Sequence, residues 1–309
     1  SVDLTAAGGI YFNGSTISTN SYQTYRSPVH LAGTVFFTNY LPGDTQFLST
    51  IDGPGAFTSS FYSGNFFGTA PQAVTFSGAV GATTPLSSFN LGVNQSGNVT
   101  FNSTLDASGA IVVNAYDFYQ NTSSAPPNIV FNGAVGSITR PTSIDVTSAV
   151  QFNTYTPSIT FAITVNPSGA LTLSSVCIGG GLCTSNGPVT LAGTVGTLAN
   201  PIASLSITSS LINLNMDNVY STGAQTYSAP IAVNYAGTTS LISNTADITA
   251  SSTVTGNGSN ALVIKNAGSN SSVTGVIDGL ALGKDGTGTL TLLADNTYTG
   301  GTTVSAGTL

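Results

Sequence analysis

Three stretches of this chain follow one pattern: Phe76-Ser77-Gly78-Ala79-Val80-Gly81, Phe131-Asn132-Gly133-Ala134-Val135-Gly136 and Leu191-Ala192-Gly193-Thr194-Val195-Gly196. Leu31-Ala32-Gly33-Thr34-Val35 is a looser fourth copy. After each of the first three come a proline (Pro85, Pro141, Pro201) and a Ser-led alternating run, such as Ser143-Ile144-Asp145-Val146. A second repeat pairs Gln23-Thr24-Tyr25-Arg26-Ser27-Pro28-Val29 with Gln225-Thr226-Tyr227-Ser228-Ala229-Pro230-Ile231. Copies of one short unit along a chain point to a stacked array. Their separation of about 45 to 60 residues suits two or three rungs of roughly 20 residues each.

Between these copies, short runs of apolar and polar residues alternate every eight to twelve positions, as in Gly97–Phe101, Ser158–Ile163 and Ala170–Leu173. Period two with β-branched residues reads as strand, and no segment has the 3.6-residue period of a helix. The fold expected is all-β. Sandwich, barrel and solenoid all use short strands, and the repeats favour a parallel β-solenoid of about fifteen rungs, a rod of about 70 Å. Composition agrees. Charged residues are 5% of the chain, against about 25% in ordinary soluble proteins, and every acid is Asp. Rungs stacked about 4.8 Å apart place like side chains opposite one another, which penalises charge and suits Thr, Ser and Asn. Four scattered cations (Arg26, Arg140, Lys265, Lys284) make no basic patch, so nucleic acid is not an expected partner. No apolar run is long enough for a membrane-spanning helix, and Ser1-Val2-Asp3-Leu4 lacks the basic start of a signal peptide. With no linker visible, residues 1–309 are expected to form one elongated unit.

Chemistry-bearing residues are sparse. Asp44 and Asp52 are the one close carboxylate pair outside the repeats, as glycoside cleavage would require, but Gly53 and Pro54 beside Asp52 suggest turn chemistry. His30, the single histidine, lies on an alternating strand, and no Gly-x-Ser-x-Gly elbow accompanies it. Gly283-Lys284-Asp285 does not complete a phosphate loop, and no calcium loop is present. No cofactor, metal or catalytic residue is expected, and the chain reads as a non-enzyme. Residues 36–67 hold nine of the 27 Phe and Tyr residues and two turn clusters. Phe36, Phe37, Phe47 and Phe57 are expected to stack inside the rod. The stretch from about 40 to 67 is expected to leave it as a loop insertion, with Tyr40, Phe61 and Tyr62 exposed as partner contacts.

The last stretch carries a longer pattern. Leu282-Gly283-Lys284-Asp285-Gly286-Thr287-Gly288-Thr289-Leu290-Thr291-Leu292 leads to Asn296-Thr297-Tyr298-Thr299-Gly300-Gly301-Thr302-Thr303-Val304 and Ala306-Gly307-Thr308-Leu309. With Val273–Gly279 before it, this resembles the autotransporter-associated β-strand repeat, the passenger-associated transport repeat of Gram-negative type V secretion proteins. The Gln-Thr-Tyr and Phe-Asn-Gly-Ala-Val-Gly elements are similar to repeats of haemagglutinin-like adhesins. The resemblance implies a right-handed parallel β-helix with protruding loops, outside the cell or on the outer surface of a Gram-negative bacterium. No translocator barrel and no Asn-Pro-Asn-Gly signature is seen, so the chain is expected to be part of something longer. The implied function is an adhesin or display stalk contacting a receptor or glycan on a host or neighbouring cell. The alternative is a subunit that assembles with copies of itself into a filament or surface layer. An extracellular setting also favours a disulfide between Cys177 and Cys183, the other reading being two buried thiols; zinc would need more ligands than these.

Overall fold

A computed structural model describes residues 1–40, 43–62, 72–94, 96–117, 126–151, 156–178, 183 and 185–309. Every regular element among them is a strand, and the chain is an all-β parallel β-solenoid. Each turn of the chain visits three faces in the same order. The first face is a twelve-stranded parallel sheet running from Val2–Leu4 to Ile277–Asp278. The third face is a second twelve-stranded sheet, from Ser15–Thr19 to Leu290–Leu292. The second face has three strands at one end and five at the other. Between them it narrows to single bridges, Ile51 to Val80, Leu105, Val135, Val165, Val195 and Val219 in succession.

Twelve turns at about 4.8 Å make a rod of about 55 Å. That is shorter than the fifteen rungs expected from the sequence, because the rungs are longer. The first-face partners Ile129, Ile159 and Val189 stand thirty residues apart. They are tighter at both ends, with Tyr25 and Phe47 twenty-two apart and Ile212 and Ile231 nineteen apart.

Register explains the sequence pattern. Val74, Val99, Ile129, Ile159, Val189, Ile212, Ile231, Val254 and Ile277 follow one another across the first face, all buried. Two residues further along each strand comes an aromatic ladder. Tyr25, Phe47, Phe76, Phe101, Phe131 and Phe161 stack with neighbouring centroids 4.5–5.1 Å apart and planes within 6°. A shorter stack from the third face, Phe37, Phe57 and Phe89, meets it edge-on, with centroids 5.3–5.7 Å away. Parallel-displaced and edge-to-face arrangements are the two that the aromatic quadrupole favours. Rung spacing sets the first and the angle between faces sets the second. From Leu191 onward aliphatic residues take over the ladder position.

On the outside, amides pair up the rungs. Asn128 donates to Asn98 at 3.3 Å and accepts from Ser158 at 2.6 Å, while Asn132 donates to Asn102 at 3.1 Å. The described residues contain two ion pairs, Arg26 with Asp3 and Lys265 with Asp285.

The glycine repeat has a steric cause. A Cβ on Gly78, Gly133 or Gly193 would run into the backbone of Ser49, Ser103 or Ile163 on the rung before. These glycines therefore fall on every second rung, and the rungs between them carry side chains at that corner. Alternation continues into the next turn. Gly81, Gly136 and Gly196 adopt φ of 64–72° and open wide turns, whereas the alternate rungs carry Asp52, Asp106 and Asn166 there. Asp52 accepts the N–H groups of Thr83 (2.9 Å) and Thr84 (3.3 Å), and Asp106 those of Ile138 (2.8 Å) and Thr139 (3.2 Å). The structural unit is thus two rungs. Leu31–Val35 turns a different corner, from the second face to the third.

The two Gln-Thr-Tyr copies also turn different corners but make the same buried plug. Tyr25 donates to Gln23 at 2.8 Å, and Gln23 donates to Thr19 and to the Thr38 carbonyl. Tyr227 donates to Gln225 at 2.8 Å, and Gln225 donates to Ser221 and to the Ile242 carbonyl.

Phe101 sits mid-ladder, stacked on both sides. Phe101→Ala should cost about 3–5 kcal/mol, read as a lowered denaturation midpoint. Loss of amide-exchange protection should centre on the rungs of Phe76 and Phe131, as expected where stability is a nearest-neighbour sum.

Candidate functional site

Strand alternation places three polar side chains in one column on the outer second face. Tyr11 pairs with His30 and His30 with Asp52. Ile10, Val29 and Ile51, the residues just before them, point into the core. Tyr11 is 72% exposed, its ring 5.4 Å from the His30 ring and tilted by 49°. The column ends at Gly81, which follows the Ile51–Val80 bridge. A cleft of about 380 Å³ results, lined by the column, by Gly8, Gly9 and Pro28, and by Thr50, Thr83 and Thr84.

Asp44 does not join Asp52 there. It precedes the first-face strand Thr45–Phe47 and accepts the Ala73 N–H at 3.0 Å, while Asp52 belongs to the second face. Each carboxylate caps the backbone of a following rung, and the pair expected in one loop is divided between two faces. Among the described residues no cluster of three or more His, Cys or Asp could hold a metal ion.

The aromatic stretch departs from its expected arrangement. Thr45–Phe47, Ile51–Asp52 and Ala56–Tyr62 are ordinary rung strands on the three faces, paired with the rungs beside them, so the expected insertion is largely part of the rod. Phe61 is fully buried. The seven-residue strand Ala56–Tyr62 keeps its alternation, and Phe57, Ser59 and Phe61 all face inward. Phe36, expected inside, is 46% exposed because its neighbours Val35 and Phe37 take the inward positions. Phe37, Phe47 and Phe57 are buried in the ladders. Tyr40 is 53% exposed, just beyond the third-face strand Val35–Asn39. The Tyr62 side chain, Phe66 and Phe67 lie outside the described residues. Cys177, at the end of the strand Ala170–Cys177, is joined in a disulfide to Cys183, with Cα atoms 5.8 Å apart.

Two cations have roles that spacing did not reveal. Arg140 donates to Asn166, to the Pro167 carbonyl and to the Asn200 and Pro201 carbonyls, tying together the turns of three rungs. Lys284 is fully buried. Its ammonium donates to the carbonyls of Asp285 (2.7 Å), Gly286 (2.9 Å) and Ala306 (3.3 Å), joining a turn to the following rung. Gly307 (φ 76°) must lack a side chain, since a Cβ would strike the Gly286 and Gly288 carbonyls and crowd the Lys284 ammonium. The Lys-x-Gly-x-Gly and Ala-Gly pieces of the terminal motif are therefore two halves of one cage.

Lys284→Met keeps the stem and removes the three donors. It should cost about 2–3 kcal/mol, because carbonyls bound to a charged donor are left unpaired; the readout is the denaturation midpoint, with proteolysis appearing first near residues 284–309. A second expectation concerns alkaline pH. Burial pushes the Tyr25 and Tyr227 phenols above their ordinary value, so the native state keeps protons that the unfolded chain releases near pH 10. Stability should then fall by about 1.4 kcal/mol per pH unit for each phenol. Lys284 acts the other way. Burial lowers its value, so the native state loses that proton first, and rising pH gains stability until the unfolded lysine also deprotonates at about 10.4. Denaturation midpoints should hold to about pH 10 and drop steeply above about pH 11. Tyr25→Phe or Tyr227→Phe should each flatten the drop.

No curated protein and no solved structure matches the chain significantly. Residues 282–309, the segment built around the Lys284 cage, match the passenger-associated-transport-repeat family. That repeat continues the solenoid in register, Leu282–Lys284 pairing with Thr302–Val304. A passenger-associated repeat continuing a parallel solenoid of about twelve turns fits an autotransporter passenger with a β-helix.

Proposed function

We propose that the chain is a non-enzymatic section of a passenger displayed outside a Gram-negative cell, working as an adhesin or as the stalk that carries adhesive surface. The observation that carries this reading is the passenger-associated repeat at residues 282–309, packed as a continuation of the rod. The carboxylates support the non-enzymatic part. Asp44, Asp52 and Asp106 each accept backbone N–H groups of a following rung, a structural use of the groups that acid–base chemistry would need. The partner in this reading is a receptor or glycan on a host or neighbouring cell, and Tyr40 remains a candidate contact.

The test is display and adhesion together. In the native host, an antibody to the rod should label intact cells, and beads coated with purified chain should adhere to target cells above a denatured control. Labelling only after permeabilisation would overturn the reading. A filament or surface-layer subunit is the second reading. Its support is the uncharged outer column Thr75, Thr100, Val130, Thr160, Thr190 and Asn213 on the first face, which offers no like-charge repulsion to a neighbouring rod. Electron microscopy separates the two, with single rods favouring display and periodic fibres favouring assembly.

A further inference from the structure

The cleft over Tyr11, His30 and Asp52 is walled by an aromatic ring, Tyr11, that the scaffold does not require. Buried phenols elsewhere serve the fold: Tyr25 and Tyr227 lie in the core with their hydroxyls bonded. Tyr11 does neither; its ring stands 72% exposed against His30, while Ile10 supplies the core contact on that rung. Asp52 spends Oδ1 on the N–H groups of Thr83 and Thr84. That bond fixes the carboxylate and fixes the turn forming the cleft floor, and Oδ2 has no protein partner among the described residues. The side-chain column stops at Gly81, where φ of 72° and the Asp106 carbonyl exclude a Cβ. The cleft is therefore a consequence of the two-rung alternation. Its volume falls in the range of small-ligand sites.

The wall chemistry selects a ligand class. An ionised carboxylate only accepts hydrogen bonds, so the ligand must donate. No lysine or arginine lines the cleft, so an anionic ligand would find no permanent positive charge to offset Asp52. An exposed Tyr ring offers a rigid, electron-rich face for polarised C–H groups, and Thr50, Thr83 and Thr84 add hydroxyls of either sense. A flat ring with C–H groups on its face and hydroxyl donors on its rim is a neutral sugar. We infer that this cleft is a subsite for a neutral saccharide unit, with the sugar face on Tyr11 and a hydroxyl or diol on Asp52. The inference rests on the reading of the rod as a contact surface and names its ligand.

The experiment uses the purified chain in solution, where it does not depend on cell-surface display. Saturation-transfer NMR is run with neutral hexoses, N-acetylhexosamines and their disaccharides, beside sialylated and sulfated sugars, each at about 10 mM, where weak subsites are populated. A neutral sugar should show transfer, and Tyr11→Ala should weaken it by about tenfold or more. Tyr11→Phe keeps the ring and should retain most of the binding. Asp52→Asn keeps an oxygen for the Thr83 and Thr84 N–H groups, so it should weaken binding with the melting temperature unchanged. Tyr235→Ala, an exposed tyrosine far along the rod, is the control and should have no effect. The inference is overturned by preference for the anionic sugars, by no transfer from any sugar, or by binding indifferent to Tyr11→Ala and Asp52→Asn. Cells labelled by antibody while the purified chain binds no sugar would leave display standing and remove the cleft. Sugar binding by a chain that never reaches the surface would do the reverse.

Discussion

Backbone hydrogen bonds between parallel rungs govern everything else in this molecule. They hold each strand about 4.8 Å from the next along the whole rod, so every side chain meets its counterpart on two neighbouring turns. A residue is tolerated when it sits well against a near-copy of itself. Rings stack, β-branched chains nest and amides bond in series, as Asn98, Asn128 and Ser158 do. Charges repel in the same arrangement, and here Asp44, Asp52 and Asp106 instead accept backbone N–H groups. Low charge is thus a direct consequence of the architecture.

A uniform stack would still face crowding at its corners. The chain resolves it by letting two kinds of rung alternate. One kind carries a side chain at the corner and, at the second-face turn, Asp52 or Asp106 as a cap or Asn166 bonded to Arg140, and the other carries glycine and a wide turn. Arg140 strengthens the scheme by crossing two rung steps to reach the Asn200 and Pro201 carbonyls.

Much of this was legible in the sequence. Period-two runs, repeated Phe-x-Gly-Ala-Val-Gly units and the Lys-x-Gly-x-Gly motif were enough for a parallel solenoid with a passenger-type repeat. What was hidden has physical reasons. Phe161-Ala162-Ile163-Thr164-Val165 and Phe101-Asn102-Ser103-Thr104-Leu105 are rungs of the same ladder, but they lack the corner glycine, so the repeat looked half as frequent as it is. The facing of Phe36 and Phe61 is not legible in the sequence because an aromatic side chain says nothing of its facing until register is known; Val35 and Phe57 fix it in each case. The Tyr11–His30–Asp52 column could not be seen because its members come from three rungs. Lys284 was recognised as part of a motif, but its burial depends on a carbonyl of Ala306, twenty-two positions away.

Alternation also constrains how such a rod can change length over evolutionary time. Removing one rung would set two glycine turns side by side, leaving one without its capping acid, or two side-chain corners where a Cβ collides with backbone. Removing or duplicating two rungs preserves the corner alternation at the seam. Spans of 55 and 60 residues, the distances from Phe76 to Phe131 and from Phe131 to Leu191, are therefore the natural quanta of duplication and deletion. Relatives of this chain should differ in length by whole pairs of rungs within this region. The tighter rungs beyond residue 210 lack the Asp–Gly exchange at the second-face turn, and this constraint does not act on them.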